Sequence, residues 1–261
     1  MRVIIEPNLS TLSQFAAEYF SQQIRRKPQS VLGLATGGTP LELYRLLIKK
    51  YQDGEVDPSQ IQTFNLDEYV GIPSDHEQSY RTFMEVNLFR PLKIREEQIH
   101  FLDGMSRNFE QTAQEYELAI QQRGGIDLQL LGIGRDGHIA FNEPGSSLAS
   151  RTRLKTLTYE TRRDNARFFG TIEKVPRLAL TMGIGTILDA KECLLIAGGE
   201  AKAEAVAAMI EGPVTAQVTA SALQMHPRTI CLLDEAAASR LKNKAYYLEV
   251  EQLQRELKFS S

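Results

Sequence analysis

Six short runs rich in β-branched residues or leucine, at 2–5, 30–34, 61–64, 128–133, 192–197 and 229–233, alternate with longer amphipathic segments, and this alternation restricts the fold more than any other feature. The runs read as strands. Between the first two, Leu12, Phe15, Ala16, Tyr19, Phe20 and Ile24 recur three and four residues apart, which predicts a helix with one apolar face that stops before Pro28. Further helical patterns cover 40–51, 108–123, 202–210 and 250–257. The βαβα order predicts an open α/β architecture, a mostly parallel sheet with helices on both faces. With 261 residues, 42% of them hydrophobic, residues 1–261 read as a single domain with a substantial core.

The formal net charge of −3 supplies no basic field to neutralise a run of phosphates, so nucleic acid is not an expected partner. The N-terminal MRVIIEPNLS has too short an apolar run for a signal peptide, and no stretch approaches the length of a membrane span; the expected location is the cytoplasm. Cys193 and Cys231 sit in the apolar runs CLLIA and ICLLD and read as reduced core thiols.

In open α/β sheets ligands collect beyond the carboxyl ends of the strands, so the residues following each run are where chemistry is expected. After VLGLA comes TGGTPLE, in which Thr39 and Glu42 have capping-box spacing and Pro40 fits the first helical position. Gly37 and Gly38 let the backbone approach a ligand, and free N–H groups at a helix start favour an anion such as phosphate. A turn of this composition serves structure alone just as readily. A second turn, Gly198–Gly199, follows CLLIA and is followed by Lys202 in the first turn of a helix, where a cation is unfavourable against the dipole. Ligand binding accounts for Lys202, and so does a solvated surface position. Among Arg151, Arg153, Arg162, Arg163 and Arg167, only Arg167, followed by Phe168 and Phe169, stands at a boundary between core and site.

The most informative stretch is LLGIGRDGHIAFNEP, where a strand gives way to glycines and then to Asp136, His138 and Glu143. Gly137 permits a tight turn, so Asp136 and His138 can lie on one side of the loop while Glu143 returns near the imidazole. A carboxylate on one ring nitrogen fixes the tautomer and leaves the other nitrogen free to move protons. His76, His100 and His226 lie in unrelated segments, and Asp136, His138 and Glu143 match no zinc spacing such as HExxH, so no metal is expected. In FNLDEYVG, Asp67 and Glu68 follow the third strand, again at the ligand edge, although carboxylates there often cap helices.

With FNLDEYVG, LATGGTP and GIGRDGHIAFNEPGSSLASRTRLKTL together and in order, the sequence resembles the glucosamine-6-phosphate deaminase family over nearly the whole chain. The resemblance implies a Rossmann-like fold shared with phosphogluconolactonases and ribose-phosphate isomerases. It implies conversion of glucosamine 6-phosphate to fructose 6-phosphate and ammonia, with no metal or organic cofactor. On this reading Asp67 is the enolisation base, Asp136, His138 and Glu143 open the sugar ring, and Gly38, Thr39, Arg167 and Lys202 hold the phosphate. Regulated members of the family are hexamers that bind N-acetylglucosamine 6-phosphate between subunits, while shorter relatives are monomers. The matching residues here are Ser146, Ser147, Arg153, Lys155 and Thr156, with Tyr246 or Tyr247 near the C-terminus. Two other readings share the fold. A 6-phosphogluconolactonase has the DGH turn but continues with a TASLFP-like sequence where this chain has IAFNEP, and a noncatalytic sugar-phosphate sensor usually carries a helix-turn-helix ahead of the domain.

Overall fold

All six apolar runs form strands, and they lie side by side in one sheet. The computed structural model describes residues 1–259. Among these the chain runs β1 (Arg2–Glu6), α1 (Leu9–Arg26), β2 (Val31–Leu34), α2 (Leu41–Gln52), β3 (Gln62–Asn65), β4 (Asp67–Tyr69), α3 (Tyr80–Met84), β5 (Ile99–His100), α4 (Phe109–Gln122) and β6 (Leu128–Leu131). It continues through β7 (Arg153–Thr156), α5 (Tyr159–Phe169), β8 (Leu178–Thr181), α6 (Ile184–Leu188), β9 (Cys193–Ala197), α7 (Ala203–Glu211), β10 (Thr229–Asp234) and α8 (Lys244–Phe259). No helix among the described residues is long and apolar enough to cross a membrane.

The main sheet has the order β1-β10-β9-β6-β2-β3-β5, and every neighbouring pair in it is parallel. Successive side chains of a strand point to opposite faces, yet β2, β6, β9 and β10 are buried at every position, so both faces of the sheet are covered. The helix predicted before Pro28 is α1. Asn8 caps it, its side chain accepting from the N–H groups of Ser10 and Thr11, and Leu12, Ala16, Phe20 and Ile24 bury its apolar face. Such a cap contributes roughly 1 kcal/mol, and burying one large apolar side chain about 1.5–3 kcal/mol, so α1 is held chiefly by packing.

The strand order reverses direction between β6 and β2: β3 and β5 extend the sheet from β2 on one side, β9, β10 and β1 extend it from β6 on the other. A crevice opens at such a switch point beyond the strand ends. Glycine is required in β2 at Gly33, where an added Cβ would lie 2.0 Å from the amide oxygen of buried Gln129 on β6.

A second, antiparallel sheet of order β4-β8-β7 stands over this edge. Leu66 is the join: its N–H donates to Leu34 O in β2, and its carbonyl accepts from Met182 N just after β8. The sequence reading missed β4, β5, β7, β8 and the helices α3, α5 and α6. The strands are short, and DEY and RLKT are polar; α5 has no apolar stripe, and of its residues Thr161 alone is buried. The predicted 128–133 strand stops at Leu131, and the predicted 250–257 helix begins earlier, at Lys244.

Candidate active site

Four loops meet at the carboxyl edge of the parallel sheet, after β2, β3, β6 and β9, and enclose a cavity of about 1300 Å³. The acid–base candidates Asp67, Asp136 and His138 line it, and so do Gly37, Gly38, Thr39, Arg167 and Lys202. The structure thus brings into one cavity residues that are far apart in sequence. Glu143 does not line the cavity; it is buried behind the imidazole.

Asp67 and Glu68 are neighbours with different environments. Glu68 is tied to the backbone: Oε1 accepts from Tyr69 N and Tyr80 N, and Oε2 accepts from Arg81 N at 2.9 Å, so this carboxylate serves the start of α3. Asp67 lines the cavity, is 7% exposed, and its carboxylate accepts no hydrogen bond among the described residues. Burial first, and then the nearby Glu68 charge, push the Asp67 carboxyl up to about 8. A carboxylate with that affinity for protons, facing a cavity, suits removal of a proton from carbon.

The loop after β6 folds back on itself. Gly134 N donates to His138 O at 2.8 Å, Gly137 N donates to Gly134 O at 3.1 Å, and Gly137 takes a φ of 84°. A Cβ on Gly134 would lie 2.5 Å from the His138 ring, so the imidazole rests against bare backbone. Ala140 completes the turn with a φ of 50°, a left-handed conformation costly for a residue with a side chain. The outcome is that Asp136 Oδ1 lies 2.7 Å and Glu143 Oε2 lies 3.7 Å from the same ring nitrogen, His138 Nδ1. Neither contact is aligned as a hydrogen bond, and Nδ1 and Glu143 Oε2 are both buried. The other ring nitrogen, Nε2, is left to the cavity. Burial opposes the charge on Asp136, but the His138 side chain and N–H outweigh it and hold the carboxyl below its ordinary value. Glu143 Oε1 is held by Thr158 N at 3.1 Å, which fixes Oε2 toward the ring.

The anion candidates line the same cavity. The N–H groups of Gly37, Gly38 and Thr39 make no hydrogen bond among the described residues. The predicted capping box does not form: Pro40 is the N-cap of α2 rather than its first residue, no side chain caps it, and Glu42 pairs with Arg45. The φ of 103° at Gly37 turns the loop so that Thr39 faces the cavity instead of the helix start. Lys202 likewise lies one residue before α7, at its N-cap, closing a short 3-10 turn. Its Nζ donates to Ile133 O at 2.6 Å, and burial, followed by the Arg135 charge, lowers its pKa. The Arg167 guanidinium stacks 4.7 Å over Phe168 at the rim. Arg163, which the sequence reading set aside, also lines the cavity, whereas Arg151 is bound to Glu117 and Asp189 and Arg162 to a carbonyl.

The residues matched to an effector segment lie outside the cavity. Arg153 donates to Asn142 Oδ1 at 2.9 Å, and Lys155 stands beside it on the same face of β7, with Thr156 exposed. Ser146 is buried with no partner for its hydroxyl, and Ser147 accepts from Ala149 N. Tyr246 and Tyr247 begin α8, which packs on β1, so within one chain they belong to a different region. Sequence reasoning missed Thr158, Gly134 and the Tyr69–Tyr80 pair, whose hydroxyls are 3.2 Å apart beside Asp67. Gly134 alone carried a signal, as the second glycine of GIG.

Residues 7–231 match the family model of glucosamine-6-phosphate isomerases and 6-phosphogluconolactonases, and the chain belongs to that family. Within it, the chain is 53% identical over 251 residues to a glucosamine-6-phosphate deaminase of Hahella chejuensis, covering 96% of each, and 51% identical over 248 residues to one of Streptomyces coelicolor, covering 95% of each. Among solved structures it is similar to a monomeric glucosamine-6-phosphate deaminase, with a TM-score of 0.90 and 44% identity over 92% of this chain and 100% of that one. A 6-phosphogluconolactonase of Trypanosoma cruzi, at 21% identity and a TM-score of 0.76 over 92% of this chain and 97% of that one, shares the fold. The Rossmann-like, mostly parallel architecture expected from the sequence is therefore the architecture found.

Proposed function

We propose that this chain is a glucosamine-6-phosphate deaminase, which converts glucosamine 6-phosphate to fructose 6-phosphate and ammonia. The observation that carries the reading is one cavity lined by a buried Asp67 that accepts no hydrogen bond among the described residues, by His138, by the free backbone N–H groups of Gly37, Gly38 and Thr39, and by cations that include Arg167 and Lys202. A six-carbon sugar phosphate offers groups to match: an acidic carbon and a ring oxygen for the acid–base residues, and a dianion for the N–H groups and cations.

In the proposed reaction, His138 moves the proton of the anomeric hydroxyl to the ring oxygen through Nε2, with Nδ1 steadied by Asp136 and Glu143. The ring opens to the aldehyde. Asp67 then takes the proton from C2 and returns one to C1, while a proton of the amine passes to the C1 oxygen, leaving an imine at C2. Water adds there, and nitrogen departs as ammonia. Gly37, Gly38, Thr39, Arg167 and Lys202 hold the phosphate and so fix C1 and C2 against the catalytic groups. The step in which water releases ammonia justifies the class name hydrolase, and the shift of unsaturation the name isomerase. No metal or organic cofactor takes part in this scheme.

Residues 1–261 are taken as one domain, which is supported by a continuous buried cluster from Val3 to Leu241. The cytoplasm is the inferred place of action, since a phosphorylated sugar is too charged to leave the compartment that makes it. Control by N-acetylglucosamine 6-phosphate is proposed at Ser146, Ser147, Arg153, Lys155 and Thr156. Its support is Arg153, half-buried with no acidic partner, together with the unpartnered hydroxyl of Ser146. The monomeric relative argues against a homo-hexamer. Incubation of the purified protein with glucosamine 6-phosphate, with and without the acetylated sugar, tests both readings. Release of ammonia and fructose 6-phosphate is expected; opening of 6-phosphogluconolactone without ammonia release would replace the deaminase reading, and hyperbolic kinetics indifferent to the acetylated sugar would remove the effector.

A further inference from the structure

The loop after β6 does more than orient a histidine. Asp136, His138 and Glu143 each present one donor atom, and the three atoms lie within 4.8 Å of one another. The spacing argument against a metal rested on helical patterns such as HExxH; here a tight turn, not a helix, brings the donors together. We propose that Asp136 Oδ1, His138 Nδ1 and Glu143 Oε2 chelate a borderline divalent transition-metal ion of the zinc class, and that its occupancy shuts off the acid–base machinery.

The separations suit such an ion. Zinc bonds of about 2.0–2.2 Å in tetrahedral geometry place ligand atoms roughly 3.3 Å apart. Oδ1 and Nδ1 are 2.7 Å apart and Nδ1 and Oε2 are 3.7 Å apart, so shifts of side chains alone reach coordination distance. Glu143 Oε2 and His138 Nδ1 are buried donors that lack an aligned hydrogen-bond partner, and buried polar atoms seldom remain so. Glu143 Oε1 is already engaged by Thr158, which leaves Oε2 as the free ligand. Imidazole nitrogen selects zinc, nickel, cobalt or copper over magnesium and calcium. Lys202 and Arg135 stand near Asp136 and oppose a cation, so binding is expected to be weaker than in closed structural zinc sites.

The inhibitory consequence rests on the proposed role of His138, whereas the binding does not. A metal on Nδ1 requires the tautomer whose proton is on Nε2, the reverse of the one in which Nδ1–H faces the carboxylates and Nε2 takes the sugar proton. The proton simply changes nitrogen through solvent, and none is gained or lost overall. Bound metal therefore removes the base, because the ring nitrogen that faces the cavity then carries the proton.

Calorimetric titration of the purified chain, stripped with EDTA, with zinc chloride tests the site. One ion per chain is expected, with affinity lowered at least about tenfold in Glu143→Gln and His138→Gln. X-ray absorption of the zinc-loaded unmodified protein gives a second readout that needs no variant, with only nitrogen and oxygen in the first shell. A sulfur shell, placing zinc on Cys193 or Cys231, would overturn the proposal. So would absence of binding or an affinity that both substitutions leave unchanged. Failure of the EDTA-treated protein to release ammonia from glucosamine 6-phosphate would instead remove the deaminase reading and leave the metal site standing.

Discussion

Asp67 faces the cavity alone, whereas His138 faces it from between two carboxylates. The first group is tuned by what surrounds it: with no donor to hold its charge and little water, its affinity for a proton rises to about 8. The second is set by what touches it, since a ring nitrogen flanked by Asp136 and Glu143 favours one tautomer and one ring orientation. Isolation makes a strong base out of a carboxylate, and pairing makes a proton shuttle out of an imidazole. The adjacent Glu68 underlines the contrast, because three backbone N–H groups make it part of the scaffold.

The comparison can be broken by substitution. Asp67→Asn is expected to lower kcat by about 10²- to 10⁴-fold with substrate binding retained, and steady-state ammonia assays measure it. A loss confined to KM would return Asp67 to an ordinary binding residue. His138→Gln should cost a similar factor on the cyclic sugar and far less on an open-chain analogue; equal losses on the two would show that the histidine does not act on the ring. Lys202→Met should weaken binding of the phosphorylated substrate by roughly 1.5–3 kcal/mol, about ten- to a hundredfold in kcat/KM, as expected for loss of a charge-assisted contact. An unchanged kcat/KM would place Lys202 in the structural reading, as a donor to Ile133 alone.

The smallest effect sharpens the contrast through stability. Folding raises the Asp67 pKa above its ordinary value, so the folded chain holds that proton more tightly than the unfolded one. Asp67 therefore does not penalise folding below pH about 4, and its penalty grows as pH rises toward about 8. Asp67→Asn should raise Tm by several degrees at pH 8 and leave it nearly unchanged at pH 4, as measured by thermal unfolding. The same titration predicts that kcat/KM of the unmodified enzyme climbs with pH through about 8 as the base ionises.

Much of the scaffold could be read from the chain because parallel strands buried on both faces leave continuous apolar runs. CLLIA and TICLLD announce β9 and β10, and the stripe from Leu12 to Ile24 announces α1. β4, β7 and α5 left no such mark, since DEY and RLKT are short and polar and α5 buries Thr161 alone. Asp136, His138 and Glu143 were legible because one turn holds them. The nearness of Asp67 to that turn was not, because it depends on Leu66 carrying the chain from one sheet to the other. The glycine loop was recognised for its composition and misread in its cap, since capping spacing says nothing of a φ of 103° at Gly37.

The role given to Asp67 is tested most directly by proton exchange at the reacting carbons. Unmodified and Asp67→Asn proteins would be incubated with glucosamine 6-phosphate in heavy water and followed by proton NMR. The account predicts loss of the C2 proton and appearance of solvent deuterium at C1 of fructose 6-phosphate with the unmodified protein, and neither with Asp67→Asn. Loss of the C2 proton at an undiminished rate in the variant would contradict it.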